Sequence, residues 1–285
     1  ASGKVDVIAD GISISEERKK MIDFSDSYLD FKTAVVTLKE RIQGYKNIEQ
    51  EENDSFLFRL KESFNNNIIL EKRYLLILNG LKTTMIISIL SAIFGTLLGA
   101  LICLMRMSHL KFMAVIAKIY ISVLRGTPVL VLLMMIFYIV FASVNINPVI
   151  VAVIAFGMNF AAYVSEMFRT GIESVDKGQN EAGISMGFSK FRTFQHIILP
   201  QAVRMILPVY KGEIISMVKM TSVVGYIAVQ DLTKASDLIR SRTFDAFFPL
   251  FMVAILYFLL SWLLLQVLGY IERSTDPKLR KIRRA

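Results

Sequence analysis

Three stretches of the chain contain no Asp, Glu, Lys or Arg: Thr83–Met105, Gly126–Ser165 and Ala246–Ile271. A membrane-spanning helix takes roughly 20 residues at 1.5 Å each. The first and third stretches therefore predict one span each, near 83–105 and 246–270, and the second is long enough for two. The opening of its first span is "RGTP" (125–128), since proline suits a first helical turn. The charge-free turn segment "ASVNINP" (142–148) separates it from a span at about 149–168. A weaker span is predicted over about 203–227, with Arg204, Lys211, Glu213 and Lys219 inside it. Between the spans lie an apolar-amphipathic piece, Phe112–Leu124, and polar regions at 169–200 and 230–245, the last read as a loop.

The first forty residues follow another pattern. Val5–Ala9 and Thr33–Leu38 alternate as short strands do, with a helical turn around Glu16–Met21. Residues 41–75 are rich in Glu, Asn and Lys, with Phe56, Phe58 and Leu60 interspersed. They predict a linker followed by an amphipathic juxtamembrane helix. The expected organisation is a small α/β-like segment over 1–40, a linker and helix over 41–78, an all-α membrane domain of about five spans over 79–272, and a basic tail over 273–285.

Composition agrees with a membrane domain: of 285 residues, 54% are hydrophobic, and mean hydropathy is +0.52. Soluble domains lie near or below zero. The net charge of +9 does not point to nucleic acid, because the cations stand at the ends of apolar runs rather than among aromatics on a soluble face. Of the 20 Lys and Arg beyond Lys82, 15 fall in 106–125, 169–204 and the tail. The excess of Lys and Arg on cytoplasmic loops then predicts the N-terminus outside and the C-terminus inside. A lone cysteine, Cys103, rules out an internal disulfide and any cysteine-based metal site. His109 and His196 read as surface residues. No GxxxxGK[ST] phosphate loop and no catalytic constellation is present, so the chain is not expected to be an enzyme, to bind metal or to carry a cofactor. It begins at Ala1 without methionine or signal peptide, which predicts a fragment or processed product.

Residues 181–200, "EAGISMGFSKFRTFQHIILP", are polar in an otherwise lipid-suited chain. Glu181–Met186 can form one short helix and Lys190–Ile198 another, joined at Gly187, which accepts a left-handed turn. Ile184, Phe188, Phe191, Phe194 and Ile197 recur at helical spacing and supply an apolar stripe. On the residues alone, this is either an interfacial amphipathic loop or a docking site.

The spacing E-A-x(4)-G-x(6)-F-x-x-I-x-L-P, carried by Glu181, Ala182, Gly187, Phe194, Ile197, Leu199 and Pro200, resembles the "EAA" signature of permease subunits of type I ATP-binding-cassette importers. One position departs: Gly183 stands where the family usually has a second alanine. "RGTPVLV" (125–131), "NFAAYVSEMFRTGIESVDKGQNEA" (159–182), "LPQAVRMILP" (199–208), "KMTSVVGYIAVQDLT" (219–233) and "SRTFDAFFPL" (241–250) are similar to the polar amino acid branch. The likeness runs from about Leu75 to Arg273. It implies that 178–198 forms a coupling helix docked on cytoplasmic ATPase subunits. It also implies a second permease subunit, an extracytoplasmic binding protein, location in the bacterial cytoplasmic membrane, and ATP and Mg bound by the ATPase partners rather than by this chain.

"GKVDVIADGISISEERKKMIDFSDSYLD" (3–30) resembles part of a periplasmic amino acid-binding fold. That likeness implies that Arg18 grips a ligand carboxylate, helped by Ser13. Forty residues are too few for two lobes and a cleft, so the segment is read as a truncated remnant.

Charges within the membrane should face protein or water, since insertion costs about 2.5–3.5 kcal/mol each. Glu213 and Lys219 are six residues apart and cannot pair along one helix. Glu213, with Ser216 on its face, is a candidate for the ammonium or cationic side chain of an amino acid, or for an interface ion pair. Asn159, Tyr163 and Lys219 are further candidates for the substrate path. An acidic pocket residue favours zwitterionic or cationic substrates over acidic ones. Glu166 has Arg169 three residues on and can be satisfied locally. Two other classes stay open: a gradient-driven carrier using Glu213 and Lys219, and a membrane-anchored receptor.

Overall fold

A computed structural model describes residues 56–275, all of them helical or in connecting turns. The N-terminal α/β-like segment with Ser13 and Arg18, and the tail beyond Thr275, lie outside the described residues. The described residues from Leu60 onward group into one unit by their contacts.

The elements are α1 (Phe56–Phe64), α2 (Tyr74–Arg106), α3 (Lys111–Gly126), α4 (Val129–Met135), α5 (Pro148–Glu173), α6 (Lys177–Ser185), α7 (Lys190–Thr193), α8 (Leu199–Met220), α9 (Leu232–Thr243) and α10 (Phe247–Thr275). Wider turns extend α4 to Val140 and join α7 to α8 through Phe194–Ile198. Three helices, α2, α5 and α10, are long and apolar enough to cross a membrane alone. Two bent pairs can supply the fourth and fifth crossings. The expected count of about five holds, but two of the five are assembled differently from the sequence reading.

The span expected at the start of Gly126–Ser165 is only the twelve residues Val129–Val140, joined to Lys111–Gly126 at a bend of 108°. Twelve residues rise about 18 Å, short of a hydrocarbon core of about 30 Å. The break has a local cause. A residue before proline is pushed out of the helical region, and Thr127, ahead of Pro128, is extended at φ −100° and ψ 130°. The amphipathic piece 112–124 is thus one limb of a broken pair rather than a connector.

The second correction concerns 230–245. It is a helix, α9, bent by 52° from the one before it. Asp231 caps it, its carboxylate accepting from the backbone N–H of Thr233 at 3.1 Å and Lys234 at 2.9 Å. Leu232, Ala235, Ser236 and Ile239 form a buried stripe on it. That i, i+3, i+4, i+7 spacing was readable, but the charges between those positions masked it.

The centre of the molecule is the crossing of α2 on α5. Gly95 and Gly99 in α2 form a small-xxx-small stripe that lets two backbones approach closely, as membrane helices require when no hydrophobic force separates them from lipid. A methyl group on Gly95 would lie 2.7 Å from the Gly157 carbonyl oxygen. The Ser91 hydroxyl donates to the Val153 carbonyl at 3.3 Å across the same crossing. Phe156, Ala155, Val151 and Ile87 continue the packing into α4 and the turn after α8.

The chain enters this bundle through a clamp. The Asn67 amide, almost fully buried, donates to the Asp245 carboxylate at 2.8 Å and to the Ser63 carbonyl at 2.9 Å. Phe64 meets Phe248 edge to face at 6.3 Å. Glu71 and Lys72 take positive φ of 53° and 54°, and Arg73 turns back to bond the Asn66 carbonyl.

At the opposite end, Lys211 Nζ in α8 pairs with Glu272 Oε2 in α10 at 2.6 Å, both side chains mostly buried. Removing one partner should cost more than the ~1 kcal/mol of an exposed pair and less than the ~3–5 kcal/mol of a fully buried one. Thermal unfolding in detergent checks this: Glu272→Gln is expected to lower the midpoint and Lys211→Met to add little further loss. Fully additive losses would show that the two groups are not coupled.

Candidate functional site

Two places gather the residues that the sequence singles out, a polar loop and a cavity. The loop begins where Asp176 caps α6, accepting from the Gly178 N–H at 2.7 Å. It turns at Gly187, at φ +84°. The Phe188 N–H donates to the Gly183 carbonyl and the Gly187 N–H to the Ile184 carbonyl. That pair of bonds is the Schellman arrangement, which closes a helix through one left-handed residue. Ser189 then caps α7. The turn folds α6 back against α7 and the wider turn after it. A methyl group on Gly183 would lie 2.5 Å from Thr193 Cγ2 and 3.0 Å from Ile197 Cδ1. Glycine in place of the alanine of the resembled pattern therefore lets the two short helices touch.

Glu181 and Ala182 are exposed, as are Ile184, Met186, Phe188 and Phe191, while Phe194 and Ile197 are half-buried against the loop itself. The apolar stripe expected from spacing thus divides in two. Ile197 lies against Gly183 and Phe194 is half-buried, while the other members face outward, with Met186 at 73% and Phe191 at 72% exposure. Leu199 and Pro200, both exposed, start α8, and proline fits its first turn. Gln201 ties the base, donating to the Ile197 carbonyl at 2.9 Å and to Gln179 Oε1 at 3.2 Å.

The cavity, of about 450 Å³, lies between α5 and α8 and is lined also by Arg125 of α3. Tyr163, Glu166, Met167 and Thr170 line it from α5, and Met205, Ile206, Val209 and Glu213 from α8. The Arg125 guanidinium lies over the Tyr163 ring, 4.9 Å from its centroid. Glu166 is occupied: its Oε2 accepts from Arg169 at 2.7 Å, and its Oε1 is 3.8 Å from Arg106. Arg169 also bonds Glu173. Neither Arg125 nor Glu213 forms an ion pair among the described residues.

Of the five residues suggested for a substrate path, Glu213 and Tyr163 line this cavity. The other three do not. The Asn159 amide is 3% exposed and donates to the Leu124 carbonyl at 3.0 Å, so it finishes α3. Lys219 is exposed and Ser216 half-buried, neither of them lining the cavity. Arg125 was read only as a flanking cation. The signal that could have found it is its place immediately before the Gly-Thr-Pro break, where the last turn of a helix must open onto something. No group of three or more His, Cys, Asp or Glu suited to a metal ion occurs among the described residues.

Residues 91–277 match the family model described as binding-protein-dependent transport system inner membrane component. The chain is 38% identical over 204 residues to the L-cystine transport system permease protein TcyB of Bacillus subtilis, covering 71% of this chain and 87% of that one. It is 33% identical over 207 residues to the putative glutamine transport system permease protein GlnP of Rickettsia felis, covering 71% and 94%. A crystal structure of an amino acid ABC transporter with histidines superposes with a TM-score of 0.66 at 37% identity, covering 72% of this chain and 96% of that one. The inward-facing MetNI methionine ABC transporter shares the fold, with a TM-score of 0.60 at 19% identity.

Proposed function

The chain belongs to the family of inner membrane components of binding-protein-dependent transport systems, and from that footing we propose that it is the permease subunit of an ATP-driven amino acid importer. The observation that carries this reading is the loop at 176–200. A capped, Gly187-turned helix pair presents Ile184, Met186, Phe188 and Phe191 outward, flanked by Glu181 and Lys190. Exposed apolar groups with a charged rim suit a protein partner, and the relatives are permease subunits named for amino acids. In this reading two cytoplasmic ATPase subunits bind the loop and supply ATP and Mg, so the chain itself catalyses no reaction. A second permease subunit completes the path, and an external binding protein delivers substrate. The N-terminus is outside and the C-terminus inside. Substrate passes by the cavity, where Glu213 meets its ammonium group.

The experiment is recovery of an ATPase subunit with the tagged permease from native membranes, alongside ATP-driven amino acid uptake. Wild type is expected to bring the ATPase down. Glu181→Lys and Phe191→Asp should each cut its recovery about tenfold or more, as loss of a central interface group does. If uptake persists on an ion gradient and no ATPase associates, the chain is a secondary carrier. If ligand binds and no uptake of either kind occurs, it is a receptor.

A further inference from the structure

The cavity carries more information than one acidic residue. Its fixed charges are one guanidinium, Arg125, and two carboxylates, Glu166 and Glu213. Glu166 is already consumed by Arg169 and Arg106. One cation and one anion are left outside any ion pair, in walls that are otherwise aromatic, aliphatic or thioether apart from the neutral Thr170 and Ser174. Glu213 is half-buried and Arg125 exposed, and a charge within a membrane-spanning segment is costly unless water or a counter-ion meets it. The two do not meet each other within ion-pair distance, so the space between them is where opposite charges on one ligand would fit.

Arg125 is also shaped for one kind of group. The guanidinium lies over the Tyr163 ring, 4.9 Å from its centroid, and carries its N–H donors in one plane. A planar fork of donors matches a carboxylate in bidentate fashion. Away from Arg125 and Glu213 the cavity follows α5 from Tyr163 to Ser174, about 16 Å at helical rise, between Met167 on one side and Met205, Ile206 and Val209 on the other. Its polar groups there, Thr170 and Ser174, are neutral.

Resting on the importer reading, we propose that this cavity is selective for net-neutral, zwitterionic amino acids, Arg125 holding the α-carboxylate and Glu213 the α-ammonium. A cationic amino acid would bring a second positive charge with no free carboxylate to receive it. An acidic one would need a second free cation, and Arg169 is held by Glu166 and Glu173. Burying an unmatched charge is the element that excludes both.

The test is equilibrium binding to the full-length permease in lipid nanodiscs, with and without its ATPase subunits and without a binding protein. Radiolabelled L-glutamine, L-leucine and L-methionine are the probes. Competitors are each probe's methyl ester, which lacks the carboxylate, its N-acetyl form, which lacks the ammonium, and L-arginine and L-glutamate. For wild type, all four competitors are expected to be about tenfold or more weaker than at least one neutral amino acid. Arg125→Gln should weaken that amino acid to the level of its ester and leave the ester unchanged. Glu213→Gln should do the same against the N-acetyl form. Arg125→Lys should keep part of the preference, since charge remains without the fork. The proposal is overturned if arginine or glutamate binds as well as every neutral probe, if no amino acid binds, or if Arg125→Gln leaves discrimination against the ester intact. Failure of the importer reading looks different: no ATPase is recovered and no ATP-driven uptake occurs, whatever the pattern of ligands.

Discussion

Gly95→Leu is expected to abolish recovery of a monodisperse protein, the largest effect of any single substitution in the bundle. The reason lies in what surrounds the position. Even the first added carbon would stand 2.7 Å from the Gly157 carbonyl oxygen and 2.9 Å from Phe160 Cδ1. The first of these is backbone and cannot swing aside. Gly99 makes the next contact one turn along, where a methyl group would be 2.9 Å from Val164 Cβ, so α2 cannot tilt to relieve one clash without making another. Overpacking a close interface costs about 1–3 kcal/mol, occasionally more. Here it acts on the crossing that holds the other helices in place. Gly95→Ala should lower the thermal midpoint by several degrees, at about 2–4 °C per kcal/mol for a chain of this size. Leu97, 69% exposed on the same helix, is the control, and Leu97→Ala should leave the midpoint nearly unchanged. Size-exclusion profiles and unfolding curves in detergent decide it. A well-behaved leucine variant would mean that α2 and α5 do not cross as described.

Gly187→Val should have the second-largest effect, and of another kind. Nothing lies within 4 Å of where a side chain would begin, so crowding plays no part. The cost is in the backbone, because φ of +84° is foreign to a β-branched residue, and left-handed geometry costs about 1–2 kcal/mol even for simpler side chains. The Schellman bonds would open and the exposed apolar groups would lose their common orientation. The expected result is a loss of about tenfold or more in ATP-driven uptake, with a thermal midpoint lowered by only about 2–8 °C. Gly187→Asn should retain much of the activity, because asparagine tolerates left-handed geometry far better than valine does. If valine and asparagine behave alike, the turn is not what presents the loop to its partner.

The sequence made the long helices legible because lipid imposes a length and an absence of charge, and α2, α5 and α10 satisfy both. It made Gly187 legible because glycine takes a left-handed turn without the steric cost that a side chain adds. Other features depend on how helices are rotated against each other, which no local pattern records. Asn159 and Tyr163, four residues apart, look like one polar face. In the fold, one finishes a neighbouring helix and the other lies under Arg125 in the cavity. Lys219, on the same helix as Glu213, does not line that cavity. The α9 helix was hidden for a different reason: Lys234, Asp237, Arg240 and Arg242 suggested a loop, whereas its buried stripe of Leu232, Ala235, Ser236 and Ile239 sits between them. Arg125 drew no notice because a cation at the end of an apolar run is what topology alone requires.

The early end of α3 has an electrostatic consequence. A helix concentrates about half a negative charge at its carboxyl end through its unsatisfied carbonyl groups. Here the Leu124 carbonyl is taken by the Asn159 amide and the Val123 carbonyl by the Thr127 hydroxyl, at 2.8 Å. Arg125 stands in that same last turn. The aligned peptide dipoles of α3 favour the positive charge of Arg125 at the wall of the cavity that Glu166 and Glu213 also line. A side-chain counter-ion would compete with a ligand for the guanidinium, and a helix end does not. The kink at Gly126–Pro128 thus does more than bend the chain: it sets the negative end of a helix beside Arg125, at the wall of the cavity that Glu213 also lines.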